Sequence, residues 1–267
     1  MNITWAIILG AIQGITEILP ISSSAHLILF PWFLKMPDQG LSFDVALHLG
    51  SLLAIIIAFG PDWINLIQEL PKLVKNKLKA TNQNQKIIYY LLLATIPGAI
   101  AGILFESLIE TKLRSELVIV FTLFIYGGIL WYVDKKGQRG KTLSDIGLKD
   151  ALFIGLAQML ALVPGTSRSG ITISAGLFRG LKKEVAAKFS FMLSAPIIFG
   201  AGIVKVPKIA LSDLVSAYFI LGVISSFVFA LLAIKFILGF VKKYSYKYFA
   251  FYRFGLAALI LIFIFLR

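Results

Sequence analysis

Apolar residues run along this chain in blocks too long for the interior of a soluble domain. Six blocks, approximately 43–61, 87–105, 117–133, 186–204, 212–238 and 248–266, are each long enough to cross roughly 30 Å of hydrocarbon as a helix. The third is short, and the fifth is long enough to tilt. Two further stretches, 3–34 and 150–178, break the pattern: each is interrupted near its middle by Pro and a run of small polar residues. Such backbone is tolerated at membrane depth only where protein or a wet cavity surrounds it. Both are therefore expected as re-entrant helix–loop–helix hairpins. The predicted fold class is an all-α polytopic membrane protein with six transmembrane helices and two re-entrant hairpins, a single membrane domain over 1–267.

Composition agrees with this pattern. The chain is 58% hydrophobic and 15% charged, too little polar surface to cover a soluble domain of 267 residues. It contains no Cys, which excludes disulfides and thiolate metal sites. The N-terminus lacks the basic start of a cleavable signal, and its apolar stretch leads straight into polar residues. A net charge of +13 could suggest nucleic acid, but the basic residues cluster between apolar blocks, as membrane topology demands.

Alternating the six spans with 71–86 on the cytoplasmic side puts eighteen of the twenty-six basic residues there, among them Lys72, Lys75, Arg139, Lys182 and Lys243. Six, including Lys35, Arg114 and Arg267, fall outside, and Arg168 and Arg253 fall within the membrane. Hairpin one then dips from the outer face and hairpin two from the cytoplasmic face. The mixed-charge stretch from Glu106 to Glu116 reads as a solvated outer loop.

Each half has the same order, a broken hairpin and then three spans, with repeat one at about 1–133 and repeat two at about 150–267. Gly10 and Gln13 followed by Pro20 match Gly155 and Gln158 followed by Pro164, provided one residue is skipped. Three spans per half invert the second copy. That is the inverted-topology repeat in which broken helices meet near the midplane and form the site.

The polar residues in the breaks are the candidate chemistry. Gln13 and Glu17 share a helix face, and an intramembrane carboxylate is a functional candidate by default. Glu17 suits a divalent cation, to which Gln13 adds only a neutral carbonyl oxygen. Ser22, Ser23, Ser24 and His26 offer hydroxyls and an imidazole, and a helix starting there favours an anion. In the second break, Gly165 and Gly170 permit close approach, while Thr166, Ser167 and Ser169 supply donors. Arg168 adds a fork of donors suited to phosphate. The segment is not a P-loop, because the Gly-rich Lys-Ser/Thr pattern is absent. Asp44 and His48 sit one turn apart, where capping and helix packing explain them as well as a site does. Ser190, Ser194 and Pro196 read as small-residue packing with a kink.

At these residues the chain resembles the undecaprenyl-diphosphatase family, also called bacitracin-resistance proteins. The family's (Glu/Gln)-x-x-x-Glu stands here as Gln13 and Glu17, followed by Pro-x-Ser-Ser-(Ser/Thr)-x-His at 20–26. Its Pro-Gly-x-Ser-Arg-Ser-Gly-x-Thr stands at 164–172, ending on Thr172. The resemblance covers essentially the whole chain. Gln at the first acidic position argues against a two-carboxylate metal site.

The resemblance implies removal of the terminal phosphate from undecaprenyl diphosphate, which recycles the lipid carrier for cell-wall synthesis. It further implies a multi-pass protein of the bacterial inner membrane with its site open to the outer face, dependent on Mg²⁺ or Ca²⁺. The expected partners are the polyprenyl diphosphate lipid and the bilayer, with no nucleic acid; a homodimer is left open. Glu17, His26, Ser23 and Arg168 are the expected catalytic residues. Ser22, Ser24, Gly165, Thr166, Ser167, Ser169, Gly170 and Thr172 join Arg168 around the phosphate, and Glu17 and Gln13 face the metal. Whether His26, Ser23 or a water activated by His26 attacks phosphorus stays open. The rival function is a carrier that flips undecaprenyl phosphate through the same inverted-repeat site.

Overall fold

The structure, a computed structural model, describes residues 3–37, 39–136 and 140–266, apart from the side chains at 41, 42, 106 and 110. Arg139 and Arg267 lie outside the described residues. The first hairpin is α1 (Ile3–Ile18) and α2 (Ser23–Phe33). It leads into α3 (Leu41–Ala58), α4 (Gly60–Lys75), α5 (Gln83–Lys112) and α6 (Glu116–Lys136). The second hairpin is α7 (Leu148–Leu160) and α8 (Arg168–Phe178). After it come α9 (Lys183–Lys205), the short turn α10 (Leu211–Leu214), α11 (Ala217–Lys243) and α12 (Lys247–Leu266). No named strand occurs among the described residues; one isolated bridge joins Lys141 to Leu181.

Five helices are long and apolar enough to cross a membrane, within 83–105, 116–136, 183–208, 217–243 and 247–266. A sixth span requires α3 and α4 together, and these are bent by 82°. The bend falls at Gly60 and Pro61; proline has no N–H for a continuing helix but fits the first turn of a new one. Beyond it α4 is amphipathic. It buries Leu66 and Leu73 and exposes Ile64, Ile67 and Val74. The expected block 43–61 therefore ends at Ala58, because its last residues turn the corner.

Two other expectations shift. The helix α5 runs through the presumed outer loop to Lys112, ending only before Leu113. The block 212–238 is divided: Ser216, with extended backbone and its hydroxyl on the Asp213 carbonyl at 2.6 Å, separates α10 from α11.

Packing relies on small residues, as in membranes where apolar side chains gain little from leaving lipid. Gly10 and Gly14 lie one turn apart on α1, and a Cβ at Gly14 would collide with the Ser226 carbonyl of α11. Likewise Gly155 of α7 lies against the Ala94 backbone of α5. Hydroxyls fasten α11 to two neighbours: Ser225 donates to the Ile7 carbonyl of α1 at 2.7 Å and Ser226 to the Leu47 carbonyl of α3 at 2.6 Å. Helix α6 packs on α12 and α3 on α9. Ala25 and Leu29 of α2 close a cluster with Ile119 and Leu123 of α6 and Ala257 and Ile260 of α12. This packing carries both hairpin tips into the interior, where they touch. Ser169 Oγ donates to the Leu19 carbonyl at 3.2 Å, and the Gly165 N–H donates to Ser24 Oγ at 3.4 Å.

Candidate active site

Both breaks end in the same device. Ser22 and Ser167 are N-caps with left-handed backbone, φ 78° and 70°, a conformation that strains any residue bearing a Cβ. Ser22 Oγ accepts the Ala25 N–H and Ser167 Oγ accepts the Gly170 N–H, so each helix starts abruptly with its free N–H groups at the tip. With Gln13 set against Gln158, Ser22 falls on Ser167 and Ser24 on Ser169 without a gap. The skip expected between the hairpins is unnecessary, and Gly165 rather than Pro164 stands opposite Pro20.

The centre of the cluster is Glu17. Its Oε1 accepts from Arg168 Nη2 at 2.6 Å, across the junction of the two hairpins. Its Oε2 accepts from Ser23 Oγ at 2.6 Å and from Gln13 Nε2 at 3.2 Å, and His48 Nε2 lies 3.3 Å away. A carboxylate this enclosed is sustainable only with such charge-assisted partners. Arg168 is held in turn by the Ser190 carbonyl, 3.0 Å from Nη1. The side chain of Glu17 is 5% exposed and that of Arg168 12%, whereas His48 keeps 26%. Access to the carboxylate therefore lies on the His48 side.

Four of the expected residues, Gln13, Glu17, Ser23 and Arg168, thus meet at one point. Ser24, Gly165 and Ser169 join the hairpin tips, and Ser22 and Ser167 cap them. Thr166 is buried, and its hydroxyl has no partner among the described residues. Thr172 gives its hydroxyl to the Arg168 carbonyl at 2.7 Å and shares a 2.7 Å bond with Ser190 Oγ, one turn along α8.

His26 does not join the Glu17 cluster. Its Nδ1 bonds the Ser22 carbonyl at 2.7 Å and its Nε2 bonds the Tyr252 hydroxyl at 2.7 Å, with the two rings stacked 5.7 Å apart.

Three neighbours lie outside the expected site residues, although the sequence pairs His48 with Asp44 and marks Arg253 as a charge within a span. His48 touches Glu17 while its Nδ1 donates to the Asp44 carbonyl at 2.7 Å. Tyr252 holds His26. Next to it, the fully buried Arg253 donates through Nη2 to the Gly165 and Thr166 carbonyls, both at 2.9 Å, and to Thr122 at 3.3 Å. Its Nε donates to the Leu123 carbonyl at 3.3 Å. Consecutive residues of α12 thus brace both hairpins. The signal for Arg253 was available, since a charge inside an apolar block marked Glu17 as well.

Among the described residues no group of three or more His, Asp or Glu side chains could hold a metal ion. Gln13 Oε1, however, is buried without a partner beside Glu17. One carboxylate and one amide oxygen form a hard donor set for Mg²⁺ or Ca²⁺, incomplete until further oxygens join it.

Residues 6–259 match the family described as bacitracin resistance protein BacA. An undecaprenyl-diphosphatase of Moorella thermoacetica is 46% identical over 267 residues, covering all of both chains. That of Caldicellulosiruptor bescii is 47% identical, covering 98% of this chain and 97% of its own. That of Desulforudis audaxviator is 42% identical over the full length of both.

Proposed function

The chain belongs to the BacA bacitracin-resistance family, and on that premise we propose that it is an integral membrane undecaprenyl-diphosphatase whose reaction centre is built on Glu17 and Arg168. It hydrolyses undecaprenyl diphosphate to undecaprenyl phosphate and inorganic phosphate, and so takes part in the lipid cycle of cell-wall synthesis. The observation that carries the site is the 2.6 Å pair between the Glu17 carboxylate of one hairpin and the Arg168 guanidinium of the other.

The diphosphate binds where the two capped helix starts converge, with N–H groups, hydroxyls and Arg168 facing its oxygens. Ser23 Oγ, already donating to Glu17, attacks the terminal phosphorus while its proton passes to the carboxylate. The bridging P–O bond breaks and undecaprenyl phosphate leaves. Protonation of Glu17 weakens its hold on Arg168, so the guanidinium turns to the phosphoryl oxygens as their charge concentrates. Glu17 gives its proton to the departing undecaprenyl phosphate. The restored carboxylate then takes a proton from the water that attacks the phosphoserine and returns it to Ser23 Oγ as that P–O bond breaks and inorganic phosphate leaves. Glu17 and Gln13 would hold a divalent cation together with substrate oxygens, which supplies further neutralisation of phosphate charge.

In this reading the hairpins are re-entrant from opposite faces and the halves form an inverted repeat. Their support is the matched strained caps, the gap-free register and the reciprocal packing of α1 on α11 and α7 on α5. The lysine-rich ends face the cytoplasm across the bacterial inner membrane and the site opens outward.

The test is phosphate release by the purified protein from undecaprenyl diphosphate in detergent, with rapid quench to trap the phosphoserine. Turnover lost in Ser23→Ala and a phosphate mapped to Ser23 are expected. Absence of turnover in the unmodified protein would sink the enzyme reading; turnover without a trapped intermediate would replace Ser23 by water.

A further inference from the structure

Several basic side chains at the lysine-rich end of the molecule are neutralised by carboxylates. Lys141 and Arg179 share Asp150, Lys188 holds Asp62 at 2.7 Å, and Lys183 lies 3.4 Å from Asp134. Lys135, on the last turn of α6, and Lys247, the first residue of α12, have no ion-pair partner among the described residues. Each ammonium rests on a ring instead. Lys135 Nζ lies 5.7 Å from the centre of the Trp131 ring and Lys247 Nζ 5.2 Å from that of Tyr248.

These two lysines line one cavity of about 370 Å³, whose other walls are Trp131, Phe251 and Ser245. Its two sides are built alike. Helix α6 ends here and α12, packed against it, begins here, so the pair is antiparallel. Trp131 stands one helical turn before Lys135, and Phe251 one turn after Lys247. On both helices the ring therefore lies about one turn, ~5 Å, farther into the membrane than the ammonium. Trp131 keeps 40% of its accessible surface and Phe251 52%, so the aromatic floor opens toward hydrocarbon.

The back wall does not cancel the charge of the mouth. Ser245 donates to one oxygen of Asp134, whose other oxygen faces Lys183, and Ser245 Oγ accepts the Lys247 N–H at 3.2 Å. The Asp134 side chain is enclosed with these partners, which leaves the two lysines as the charge of the cavity. Both lysines bound apolar spans, at the level of the lipid headgroups.

A cationic mouth over an aromatic floor at that depth selects its ligand on two counts. A free anion satisfies the lysines and leaves the floor bare. A zwitterionic lipid covers the floor but brings its own cation to the lysines. A lipid with a net negative phosphodiester matches both.

We propose that this cavity between α6 and α12 binds an anionic glycerophospholipid of the leaflet at the lysine-rich ends. The phosphodiester sits between Lys135 and Lys247, and an acyl chain lies over Trp131 and Phe251. The lipid fastens the end of α6 to the start of α12. These two helices meet again where Arg253 donates to the Thr122 and Leu123 carbonyls, so the lipid steadies the frame behind the second hairpin without touching it. The site is separate from the Glu17 cluster and does not depend on the reaction proposed above.

Two measurements, neither using turnover, test it. In detergent the unfolding temperature of the full-length protein is expected to rise by about 3 °C or more with dioleoyl phosphatidylglycerol. Dioleoyl phosphatidylcholine or inorganic phosphate at the same concentration should not raise it. The double variant Lys135→Gln, Lys247→Gln should lose most of the rise. The variant Lys242→Gln, Lys243→Gln, with the same loss of charge outside the cavity, should keep it. Equal losses in the two double variants would reduce the effect to the general basic character of this end and overturn the proposal. So would the absence of any rise, or equal protection by inorganic phosphate, which would make the cavity a free-anion site.

The second measurement reads the floor and leaves the lysines in place. In phosphatidylcholine vesicles, the fluorescence difference between the unmodified protein and Trp131→Phe isolates Trp131. Half-quenching of that signal should require about threefold less dibrominated phosphatidylglycerol than dibrominated phosphatidylcholine. Equal quenching by the two lipids would make the cavity an ordinary lipid contact and refute the site.

Discussion

Glu17 and Arg168 are 151 positions apart in sequence and 2.6 Å apart in space, and each belongs to a different hairpin. The contact makes the proposed reaction centre a property of the junction, so neither half of the chain can build it alone. Glu17→Gln and Arg168→Met are each expected to lower kcat/KM by about 10²–10⁴-fold. Groups acting as one unit lose most of their effect at the first change. The double variant should therefore fall little below the worse single one, whereas fully multiplicative losses would mean that the two residues act separately.

Ser23 and His26 are neighbours on α2 with different surroundings. Ser23 lies 2.6 Å from the Glu17 carboxylate, and His26 is bound to Tyr252 and the Ser22 carbonyl. Ser23→Ala should reduce kcat at least about 10²-fold with little change in KM. His26→Ala should lower kcat far less, since its ring is bonded to the Ser22 carbonyl and the Tyr252 hydroxyl and not to Glu17. A collapse of kcat in His26→Ala with Ser23→Ala near normal would reverse the assignment.

Gln13 Oε1 is a buried acceptor without a partner, close to a single carboxylate. Gln13→Glu would give the hard-cation site a second charge. The Mg²⁺ or Ca²⁺ concentration for half-maximal activity should fall by about tenfold, and EDTA should inactivate the unmodified protein at a lower concentration than it does the variant. An unchanged metal titration would remove Gln13 from the metal site.

The broken hairpins were legible because Pro and hydroxyl residues interrupt apolar blocks, and an intramembrane Glu17 or Arg168 has few structural excuses. The bend at Gly60 and Pro61 was less so, because hydropathy averages across a corner. His48 was undervalued because its spacing from Asp44 satisfies a local explanation. Its 3.3 Å approach to Glu17 depends on how α3 packs beside α1, which local spacing does not encode. The gap-free register of the hairpins was hidden by the two prolines. They invite alignment with each other, yet the strained serines, two residues beyond Pro20 and three beyond Pro164, are the equivalent positions. Arg253 was visible as a charge in a span, but its role depends on carbonyls brought from α6 and the second break.

Arg253 supplies the last prediction. Its guanidinium reaches the Gly165 and Thr166 carbonyls in the second break and the Thr122 and Leu123 carbonyls of α6, while Nη1 lies against Gly170 without a hydrogen-bond partner. No lysine can replace this fork, because a single ammonium cannot span both groups of carbonyls. Arg253→Met strands up to four buried acceptors and should cost about 3 kcal/mol or more, read as a lower unfolding temperature in detergent. Arg253→Lys keeps the charge and should recover part of that stability. Its kcat should remain low with KM less affected, because the loop ahead of Arg168 is no longer fixed. Were Arg253→Lys restored in stability and in kcat alike, the residue would serve the fold alone, and the orientation of Arg168 would have to come from Ser190 and Glu17.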